Sequence, residues 1–440
     1  MRISIIAFLG IVTSGAALAG DLPRAVSSDD FPVPGATSVL LGRDLFFDPI
    51  LSGNQNISCA SCHDPSLGTS DGVSLSLGEG AQGKGLSRTA PVDAARVARH
   101  TPSLFNLGAF EFTALLHDGR VQADPTTRFG FTLPNGLHLE RPVASALAAQ
   151  ALMPMVSMTE MAGQPVENPI ADAVAQDNIM GLNGAWDQIA QRVAGVPDYR
   201  DRFTWMIGAD EPVHITHIAT ALADFMTYEF RSTDSAYDAF LRGDDDALDN
   251  DAMRGMSLFY GKANCASCHS GPFQTDHSFH AIAMPQIGPG KDHGLGSSDH
   301  GRGFITGNPQ DNYRFRTPSL RNVALSAPYG HTGAFDTLEA VVRHHLDAMT
   351  SLAEYTGDTA RLPRPGAPSD ELGAMMDFDE VLNIAAASEI APLPLSDPEI
   401  TALLRFLDAL TDPLAKTGRL GAPETVPSGL PLDLTTLPPS

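Results

Sequence analysis

Cysteine, basic residues and long apolar segments are scarce in this sequence, and their scarcity excludes several classes of protein. Only 4 cysteines occur in 440 residues, too few for a disulfide-dense scaffold. Beyond the N-terminus, no segment supplies the roughly 20 uninterrupted apolar residues that a transmembrane helix needs, so no membrane span is predicted. Lysine and arginine total 28 against 52 acidic residues, and the formal net charge of -24 argues against a nucleic-acid partner. Such acidity favours a partner protein with a basic face, although it also serves solubility.

The rest of the composition is typical of a folded, exported protein. Hydrophobic residues at 43% and charged residues at 18% lie in the ordinary globular range, and the length favours two domains. The N-terminus combines a positive residue, Arg2, with an apolar stretch over residues 3–12 and the small-residue sequence Ala17-Leu18-Ala19. This is the pattern of a secretory signal peptide. We therefore predict that residues 1–19 are removed and that the mature protein lies in the periplasm.

The four cysteines form two identical motifs. They lie in Cys59-Ala60-Ser61-Cys62-His63 and in Cys265-Ala266-Ser267-Cys268-His269, so each pair is followed at once by histidine. Two thiols at this spacing can meet the two vinyl groups of one porphyrin, and the adjacent histidine can reach its iron. Two disulfides or one four-cysteine zinc site are the alternatives. The motifs predict two covalently bound haem c groups, attached at Cys59, Cys62, Cys265 and Cys268, with His63 and His269 as proximal ligands.

Similar sequences precede the two motifs and indicate an internal repeat. Residues 41–46 read Leu-Gly-Arg-Asp-Leu-Phe and residues 254–259 read Arg-Gly-Met-Ser-Leu-Phe, each as a helix leading into a haem-attachment loop. Because period-two alternation is scarce, the predicted fold is mainly α, with two cytochrome c-like haem domains, long loops and little sheet. The predicted boundaries are an N-terminal domain at 20–231, a linker at 232–250, a C-terminal domain at 251–413 and a proline-rich tail at 414–440.

Two amphipathic helices are predicted to close the two domains. Apolar residues recur at helical spacing from Ile215 to Met226. Near the C-terminus, Ser396 and Glu399 form a capping-box pattern ahead of apolar residues spaced along one helix face as far as Leu410. The acidic stretch at 244–251 indicates a solvated connection between the halves.

Motifs along most of the mature chain resemble those of the bacterial dihaem cytochrome c peroxidases and their MauG-like relatives. The matching segments are Leu45-Phe46-Phe47-Asp48 with Ile57-Ser58, Thr101-Pro102-Ser103-Leu104 with Asn106, Asp118-Gly119-Arg120, Gln150 with Glu160-Met161, Ser235-Ala236-Tyr237-Asp238, Arg316-Thr317-Pro318-Ser319-Leu320-Arg321-Asn322, and Pro328-Tyr329. The resemblance implies that the N-terminal haem reacts with hydrogen peroxide and that the C-terminal haem passes electrons.

The resemblance also implies which residues form the peroxide site. Cleaving peroxide needs an open iron position and a group that moves a proton between the two oxygens. Glu160 matches the family's catalytic glutamate, with Gln150 as a polar neighbour. No histidine lies between His63 and His100, so the loop histidine that blocks this iron in some members is missing and an open iron is expected. His117 stands where the family usually has a tryptophan relay, and either replaces it poorly or packs against a haem propionate.

The far ligand of the C-terminal haem is expected from a helix after the Pro-Tyr motif, here residues 338–349. On a helical projection His345 and Met349 share the apolar face, while His344 is turned about 100° away. His345 also falls where the family ligand aligns, so coordination by His269 and His345 is predicted, with Met349 as the rival. Imidazole lowers a haem potential relative to thioether. A bis-histidine haem is similar to the MbnH-like branch of the family, which oxidises a partner protein.

The family commonly holds a calcium ion between its domains. The matching positions are His100, Ser326 and Pro328. Histidine replaces the family's asparagine there and is a poor ligand for a cation that prefers oxygen. The sequence therefore leaves calcium binding open.

Three functions are compatible with these motifs. The first is reduction of hydrogen peroxide with electrons from a small redox protein, and the second is MauG-like oxidation of a side chain on a protein substrate. The third is electron transfer without catalysis. Glu160 and the missing distal histidine argue against the third, while His345 and His117 shift the balance from the first toward the second. The sequence predicts a peroxide-dependent oxidoreductase.

Overall fold

The chain is mainly helical in its computed structural model, which describes residues 22–91, 94–291, 296–363 and 371–432. The predicted signal peptide at 1–19 and residues 433–440 of the tail lie outside the described residues. The strands are two or three residues long and form one three-stranded and one two-stranded antiparallel sheet. The prediction of a mainly α fold with little sheet is confirmed. None of the helices in the described ranges has both the length and the apolar character required to cross a membrane.

The N-terminal half is built around two long helices. Its elements in chain order are α1 (Ala36–Phe47), α2 (Cys59–Cys62), β1 (Ala114–Leu115), β2 (Val121–Ala123), β3 (Phe131–Thr132), α3 (Ala146–Ala151), α4 (Pro169–Ala175), α5 (Ala185–Gly195), α6 (Pro197–Ile207) and α7 (Ile215–Glu229). Helices α1 and α7 pack together, and Leu41, Leu45 and Phe225 are fully buried between them. The helix predicted from Ile215 onward is confirmed as α7, with its apolar residues in the core.

The C-terminal half repeats this arrangement around a smaller core. Its elements are α8 (Ala236–Leu241), α9 (Asn250–Phe259), β4 (Phe279–His280), α10 (Arg302–Thr306), β5 (Phe315–Arg316), α11 (Leu338–Leu346), α12 (Ala348–Ala353), α13 (Gly373–Met376), α14 (Phe378–Ala387), α15 (Asp397–Asp408) and α16 (Leu414–Thr417). Helices α9 and α15 pack as α1 and α7 do, around Phe259 and Phe406. The capping box of Ser396 and Glu399 is confirmed at the start of α15.

Gly42 and Gly255 explain why the two halves carry similar sequences ahead of their haem motifs. Gly42 of α1 faces the carbonyl oxygen of Ala221 in α7, and Gly255 of α9 faces the carbonyl oxygen of Ala402 in α15. A Cβ atom at either glycine would overlap that oxygen. The missing side chain therefore lets each haem-motif helix cross its closing helix at close range.

We expect Gly255→Ala to lower the free energy of unfolding by about 1–3 kcal/mol, because the added methyl group forces α9 and α15 apart. Thermal unfolding followed by circular dichroism measures the change. Gly195→Ala is the matched control, since Gly195 lies in α5 and a Cβ there would meet no atom within 4 Å. The control should be neutral or slightly stabilising. An unchanged unfolding midpoint for Gly255→Ala would contradict the close crossing.

The segments predicted as linker and tail both pack against the domains. In the segment 232–250, α8 buries Tyr237 in the C-terminal core, while the acidic residues 244–246 are exposed. After α16 the chain returns to the N-terminal half, where the backbone amides at 419–421 donate to the buried carboxylate of Glu229 over 2.8 to 3.1 Å. Val426 then enters the N-terminal core. These contacts join residues far apart in sequence, so periodicity could not reveal them.

Candidate functional site

The two C-x-x-C motifs lie in separate cores. Cys59 and Cys62 pack against the N-terminal core and Cys265 against the C-terminal core, and none of the four cysteines forms a disulfide. A single four-cysteine zinc site is therefore excluded. Burial raises the pKa of Cys59 and of Cys265 to about 12, so both are neutral thiols at pH 7.

His63 and His269 are held in the same way. The Nδ1–H of His63 donates to the carbonyl of Thr69 at 3.0 Å, and that of His269 donates to the carbonyl of Gln274 at 3.1 Å. Because a carbonyl can only accept, Nδ1 carries the proton and Nε2 keeps its lone pair for a metal. Burial lowers the pKa of each ring to about 4, so both are neutral at pH 7. Both residues fit the role of an axial ligand to haem iron.

The Thr-Pro-Ser-Leu sequences at 101–104 and 317–320 support the loops that carry these histidines. The hydroxyl of Ser103 shares a 3.0 Å hydrogen bond with the hydroxyl of Thr69, whose carbonyl holds His63. In the other half, the hydroxyl of Ser319 donates to the carbonyl of Phe273 at 2.7 Å, one residue before the carbonyl that holds His269. The motif quoted for the family resemblance therefore has a physical role, which is to fix the proximal loops.

His345 lies near the C-terminal haem motif. Besides burial, its proximity lowers the pKa of His269. Its Nδ1–H donates to the carbonyl of Val341 at 2.8 Å, one turn earlier in α11, so Nε2 is again available. Burial lowers the pKa of His345 although part of its side chain is accessible to solvent, so the ring is neutral and can accept a metal at Nε2.

The structure corrects the expected orientation of His344. The segment predicted as one helix over 338–349 is two helices, because the backbone at Asp347 leaves the helical conformation (φ -152°, ψ 77°). His344 was expected to point away from the core, but it is only 1% exposed. Its Nδ1 bonds the hydroxyl of Ser351 at 2.9 Å and its Nε2 bonds the carbonyl of Ile282 at 2.8 Å. His344 is a core histidine with no nitrogen left for a metal.

The same break in the helix separates Met349 from His345. Met349 belongs to α12 and packs in a distinct apolar cluster with Tyr313, Leu352 and Ile384. The Met349 thioether packs in that cluster, which does not include His345. The geometry favours His345 over its rival.

Glu160 lies in a short π-helix, Met158–Ala162. This rare form occurs frequently at functional sites. A loop at residues 78–79 packs closely against this π-helix. A Cβ atom on Gly78 would overlap the carbonyl oxygen of Thr159, and the amide of Glu79 donates to the same carbonyl at 3.3 Å. Glu160 itself is half-buried. These contacts fix the backbone that carries Glu160.

Gln150 and Lys291 supply further polar groups to this half of the site. The side-chain oxygen of Gln150, near the end of α3, is buried and has no hydrogen-bond partner within the described ranges. Burial and Arg120 lower the pKa of Lys291, and the nearby Glu160 carboxylate partly opposes that shift. An orphaned amide oxygen can accept a hydrogen bond from a small bound molecule such as peroxide or water.

His117 lies at the junction of the two halves. It follows β1, and its carbonyl accepts a 2.7 Å hydrogen bond from the amide of Arg316 in β5. Burial and the charge of Arg99 lower its pKa well below the ordinary value, so the ring is neutral. A neutral imidazole is much harder to oxidise than indole. An oxidising equivalent would therefore not be transferred readily through the side chain of His117.

Arg99 links the two halves through a buried ion cluster that sequence reasoning missed. Its guanidinium donates two hydrogen bonds to the carboxylate of Asp299 and one to the carboxylate of Asp118, all at 2.6 Å. Arg120 also pairs with Asp118. Burial opposes ionisation of both carboxylates, but the arginines outweigh it and hold both pKa values well below the usual range. Only the Asp-Gly-Arg motif hinted at this cluster from the sequence.

His331 is a second residue that the sequence did not single out. It is 4% exposed, neither ring nitrogen has a hydrogen-bond partner among the described residues, and its ring stacks on Phe315 at 3.7 Å. Its backbone carbonyl accepts from the amide of His100 at 2.9 Å. A buried imidazole without partners normally bonds something outside the polypeptide. A haem propionate or a water fits that role.

Replacing Arg99 by methionine is expected to lower the free energy of unfolding by about 3–5 kcal/mol, because it leaves the buried Asp299 without its counter-charge and Asp118 with Arg120 alone. Both carboxylates have depressed pKa values, so the stabilisation is present at neutral pH and is lost as pH falls toward those values. Chemical denaturation at pH 7 and at acid pH measures the loss. Arg343→Met is the control, since Arg343 is exposed and its ion pairs should contribute under about 1 kcal/mol. Equal effects from the two substitutions would contradict the buried cluster.

Of the positions expected for calcium, His100 does not fit as a ligand. Both of its ring nitrogens are engaged, Nδ1 with the carbonyl of Val73 at 2.9 Å and Nε2 with the hydroxyl of Ser70 at 3.3 Å. The family site is held largely by backbone carbonyls, and at Ser326 and Pro328 such carbonyls are the ligands that the resemblance implies, since calcium prefers oxygen. The side-chain oxygen that the family's asparagine supplies is missing at His100.

Comparisons with known proteins agree with this arrangement. A family described as di-haem cytochrome c peroxidase matches residues 36–246. Methylamine utilization protein MauG of Methylorubrum extorquens is 34% identical over 312 residues, which cover 70% of this chain and 68% of that protein. Cytochrome c551 peroxidase of Nitrosomonas europaea is 33% identical over 302 residues, which cover 69% and 70%.

Solved structures share the fold over nearly the whole chain. A MauG-like protein associated with microbial copper homeostasis has a TM-score of 0.56 at 26% identity, with 90% of this chain and 94% of that chain covered. The diheme peroxidase BthA of Burkholderia thailandensis has a TM-score of 0.59 at 22% identity and covers 91% and 94%. The chain therefore belongs to the di-haem cytochrome c peroxidase family that includes MauG, and it is an oxidoreductase that acts on peroxide.

Proposed function

We propose that this chain is a periplasmic dihaem peroxidase that uses hydrogen peroxide at an open N-terminal haem and passes electrons through a bis-histidine C-terminal haem. The observation that carries the proposal is an asymmetry between the two sites. His269 and His345 both keep Nε2 available at the C-terminal site. Near His63, by contrast, both ring nitrogens of His100 are already bonded within the protein. This leaves one axial position of the N-terminal haem for peroxide.

The residues that would hold the two haems follow from this geometry. Cys59 and Cys62 would attach the first haem and Cys265 and Cys268 the second. His63, His269 and His345 would be the axial ligands. Haem bound in this way supplies the electrons that cleave the O–O bond of peroxide.

Glu160 is the residue that moves the proton. Its carboxylate accepts a proton from the inner oxygen of peroxide and returns it to the outer oxygen, which can then leave as water. The π-helix and the loop packed against Thr159 fix the backbone that carries this carboxylate, and such positioning favours a proton transfer between neighbouring atoms. The orphaned side-chain oxygen of Gln150 accepts a hydrogen bond from the peroxide or from the product water.

Charge indicates the kind of reductant. The formal net charge of -24 favours a small periplasmic redox protein with a basic face, because opposite charge accelerates encounter. The periplasmic location rests on the signal-peptide pattern at residues 1–19. His117 carries no hole between the haems, so electrons pass there by direct tunnelling or through another side chain.

A second candidate function is MauG-like oxidation of a side chain on a partner protein. The observation that favours it is His345. Two imidazole ligands lower the potential of a haem relative to a methionine ligand, which stabilises its oxidised states. An enzyme with such a haem can retain oxidising equivalents long enough for a protein substrate to dock.

Electron paramagnetic resonance of the oxidised, haem-loaded protein tests the proposal. One high-spin ferric signal and one low-spin bis-imidazole signal are expected, and stoichiometric hydrogen peroxide should abolish both. Intact mass should show two attached haems and a chain beginning near residue 20. Two low-spin signals that are unchanged by hydrogen peroxide would instead indicate a closed N-terminal site and would overturn the proposed resting state.

A further inference from the structure

Two tyrosines of the C-terminal core form a hydrogen-bonded pair. The hydroxyl of Tyr237 donates to the hydroxyl oxygen of Tyr260 at 2.8 Å, and the two rings are stacked with centroids 6.4 Å apart. Tyr237 is fully buried, whereas Tyr260 is partly exposed. Phe259 and Phe406 surround the pair edge-on. The pair therefore leads from a dry core toward more accessible space.

One residue connects this pair to the proximal ligand of the C-terminal haem. Gln274 lies beside Tyr260, and its backbone carbonyl accepts a hydrogen bond from Nδ1 of His269 at 3.1 Å. Tyr260 also packs in the core cluster that includes Cys265, the first cysteine of the haem motif. One residue thus separates the phenol from the histidine that would bind iron.

The surroundings place an oxidising equivalent on Tyr260 rather than on its neighbour. The guanidinium of Arg321 lies over the Tyr237 ring at 5.6 Å, and a cation there makes removal of an electron from that ring harder. The Tyr260 oxygen accepts a hydrogen bond from Tyr237, which stabilises an oxygen that has lost its own proton. Each of these contacts favours Tyr260 as the oxidised member.

Tryptophan offers no alternative at the C-terminal site. Trp186 is buried in the N-terminal core, where its indole N–H donates to the carbonyl of Leu152 at 3.3 Å. Trp205 lies in α6 of the same half and is 75% exposed. With His117 at the junction of the halves, oxidisable side chains near His269 are phenols.

We propose that Tyr260 is a redox-active residue that carries one oxidising equivalent between the C-terminal haem and an electron donor at the protein surface. The proposal rests on the proposed peroxide-dependent function. In the forward step the O–H bond of Tyr260 would break, its proton would go to water, and its electron would be taken up by the peroxide-oxidised haem held at His269. The resulting phenoxyl radical then takes an electron from the donor and a proton from water, which restores the phenol. A one-electron donor, such as a phenol or indole side chain of a partner protein, is the substrate class that this exchange serves.

Rapid freeze-quench electron paramagnetic resonance of the haem-loaded full chain after hydrogen peroxide tests this inference. We expect a tyrosyl radical signal that narrows when the protein contains ring-deuterated tyrosine. Tyr260→Phe should abolish the signal, because phenylalanine keeps the ring packing but cannot form a phenoxyl radical. Tyr237→Phe should retain the radical with a larger gx component, because the oxygen of Tyr260 loses a donated hydrogen bond. Tyr355→Phe is the matched control and should change nothing, since Tyr355 is half-buried in the same half and bonds a backbone carbonyl.

The resting haem signals separate failure of this inference from failure of the proposed function. If peroxide leaves the ferric signals of the unsubstituted protein unchanged, the peroxide-dependent function itself is wrong. If peroxide abolishes those signals but no tyrosyl radical forms, or if the radical survives Tyr260→Phe, the inference about Tyr260 is overturned while the function stands. Unchanged resting signals in each variant verify that the fold and both haem sites are intact.

Discussion

Replacement of His345 by alanine is expected to convert the C-terminal haem from a low-spin to a high-spin ferric state. The Nδ1–H of His345 is fixed on the Val341 carbonyl, which leaves Nε2 as the proposed iron ligand, so its removal would leave that position to water. In electron paramagnetic resonance, the bis-imidazole low-spin signal, which corresponds to one of the two haems, should disappear completely. The midpoint potential of that haem should also change, since an axial ligand sets it.

Two substitutions discriminate among the neighbouring side chains. Met349→Leu conserves volume in the apolar cluster around Tyr313 and should leave the low-spin signal intact. His344→Ala removes two internal hydrogen bonds and should lower stability without changing the spin state of a correctly folded fraction. A low-spin signal retained in His345→Ala but lost in Met349→Leu would reassign the ligand to Met349.

Glu160→Gln is expected to reduce peroxide turnover by about 10²–10⁴-fold, the usual contribution of a positioned acid–base group. Glutamine keeps the size and polarity of the side chain but cannot accept and return a proton. Steady-state kinetics with hydrogen peroxide should show the loss mainly in kcat, because the carboxylate acts on the reacting oxygens. Resting spectra of both haems should be unchanged, since Glu160 ligates neither.

Glu167→Gln provides the control for this substitution. Glu167 is exposed seven residues later, and its carboxylate accepts from the backbone amide of Gln164 and the side chain of Asn54. Turnover should stay within about twofold of the unsubstituted enzyme, because glutamine keeps an oxygen that can accept these hydrogen bonds and surface substitutions usually have small effects. Equal activity in the Glu160 and Glu167 variants would remove Glu160 from the mechanism.

Local patterns in the sequence predicted the features that depend on neighbouring residues. Helix α7 and the capping box of α15 lie where periodicity and cap residues placed them. The mainly α fold is likewise confirmed. Such features depend on contacts within a few residues, and the sequence displays those contacts directly.

The helix carrying the two histidines shows where this reasoning stops. A continuous 338–349 helix would have turned His344 away from the core, but the backbone bends at Asp347 and a second helix begins. The hydroxyl of Ser351 and the carbonyl of Ile282 then hydrogen-bond the His344 ring, and Ile282 lies 62 residues away in sequence. Helical projection assumes an unbroken axis, so it cannot anticipate a partner supplied by tertiary packing.

By itself, the sequence determined the two C-x-x-C-H motifs, the internal repeat and the excess of acidic residues, because spacing along a chain limits which groups can act together locally; Glu160 became a candidate through the family resemblance. Only the tertiary structure decided which histidine nitrogens remain free, which buried carboxylate Arg99 reaches across 200 residues, and which tyrosines share a hydrogen bond in the C-terminal core. Those outcomes depend on atoms brought together by packing. A hydrogen bond is formed over about 3 Å of space, whatever the length of chain between its partners.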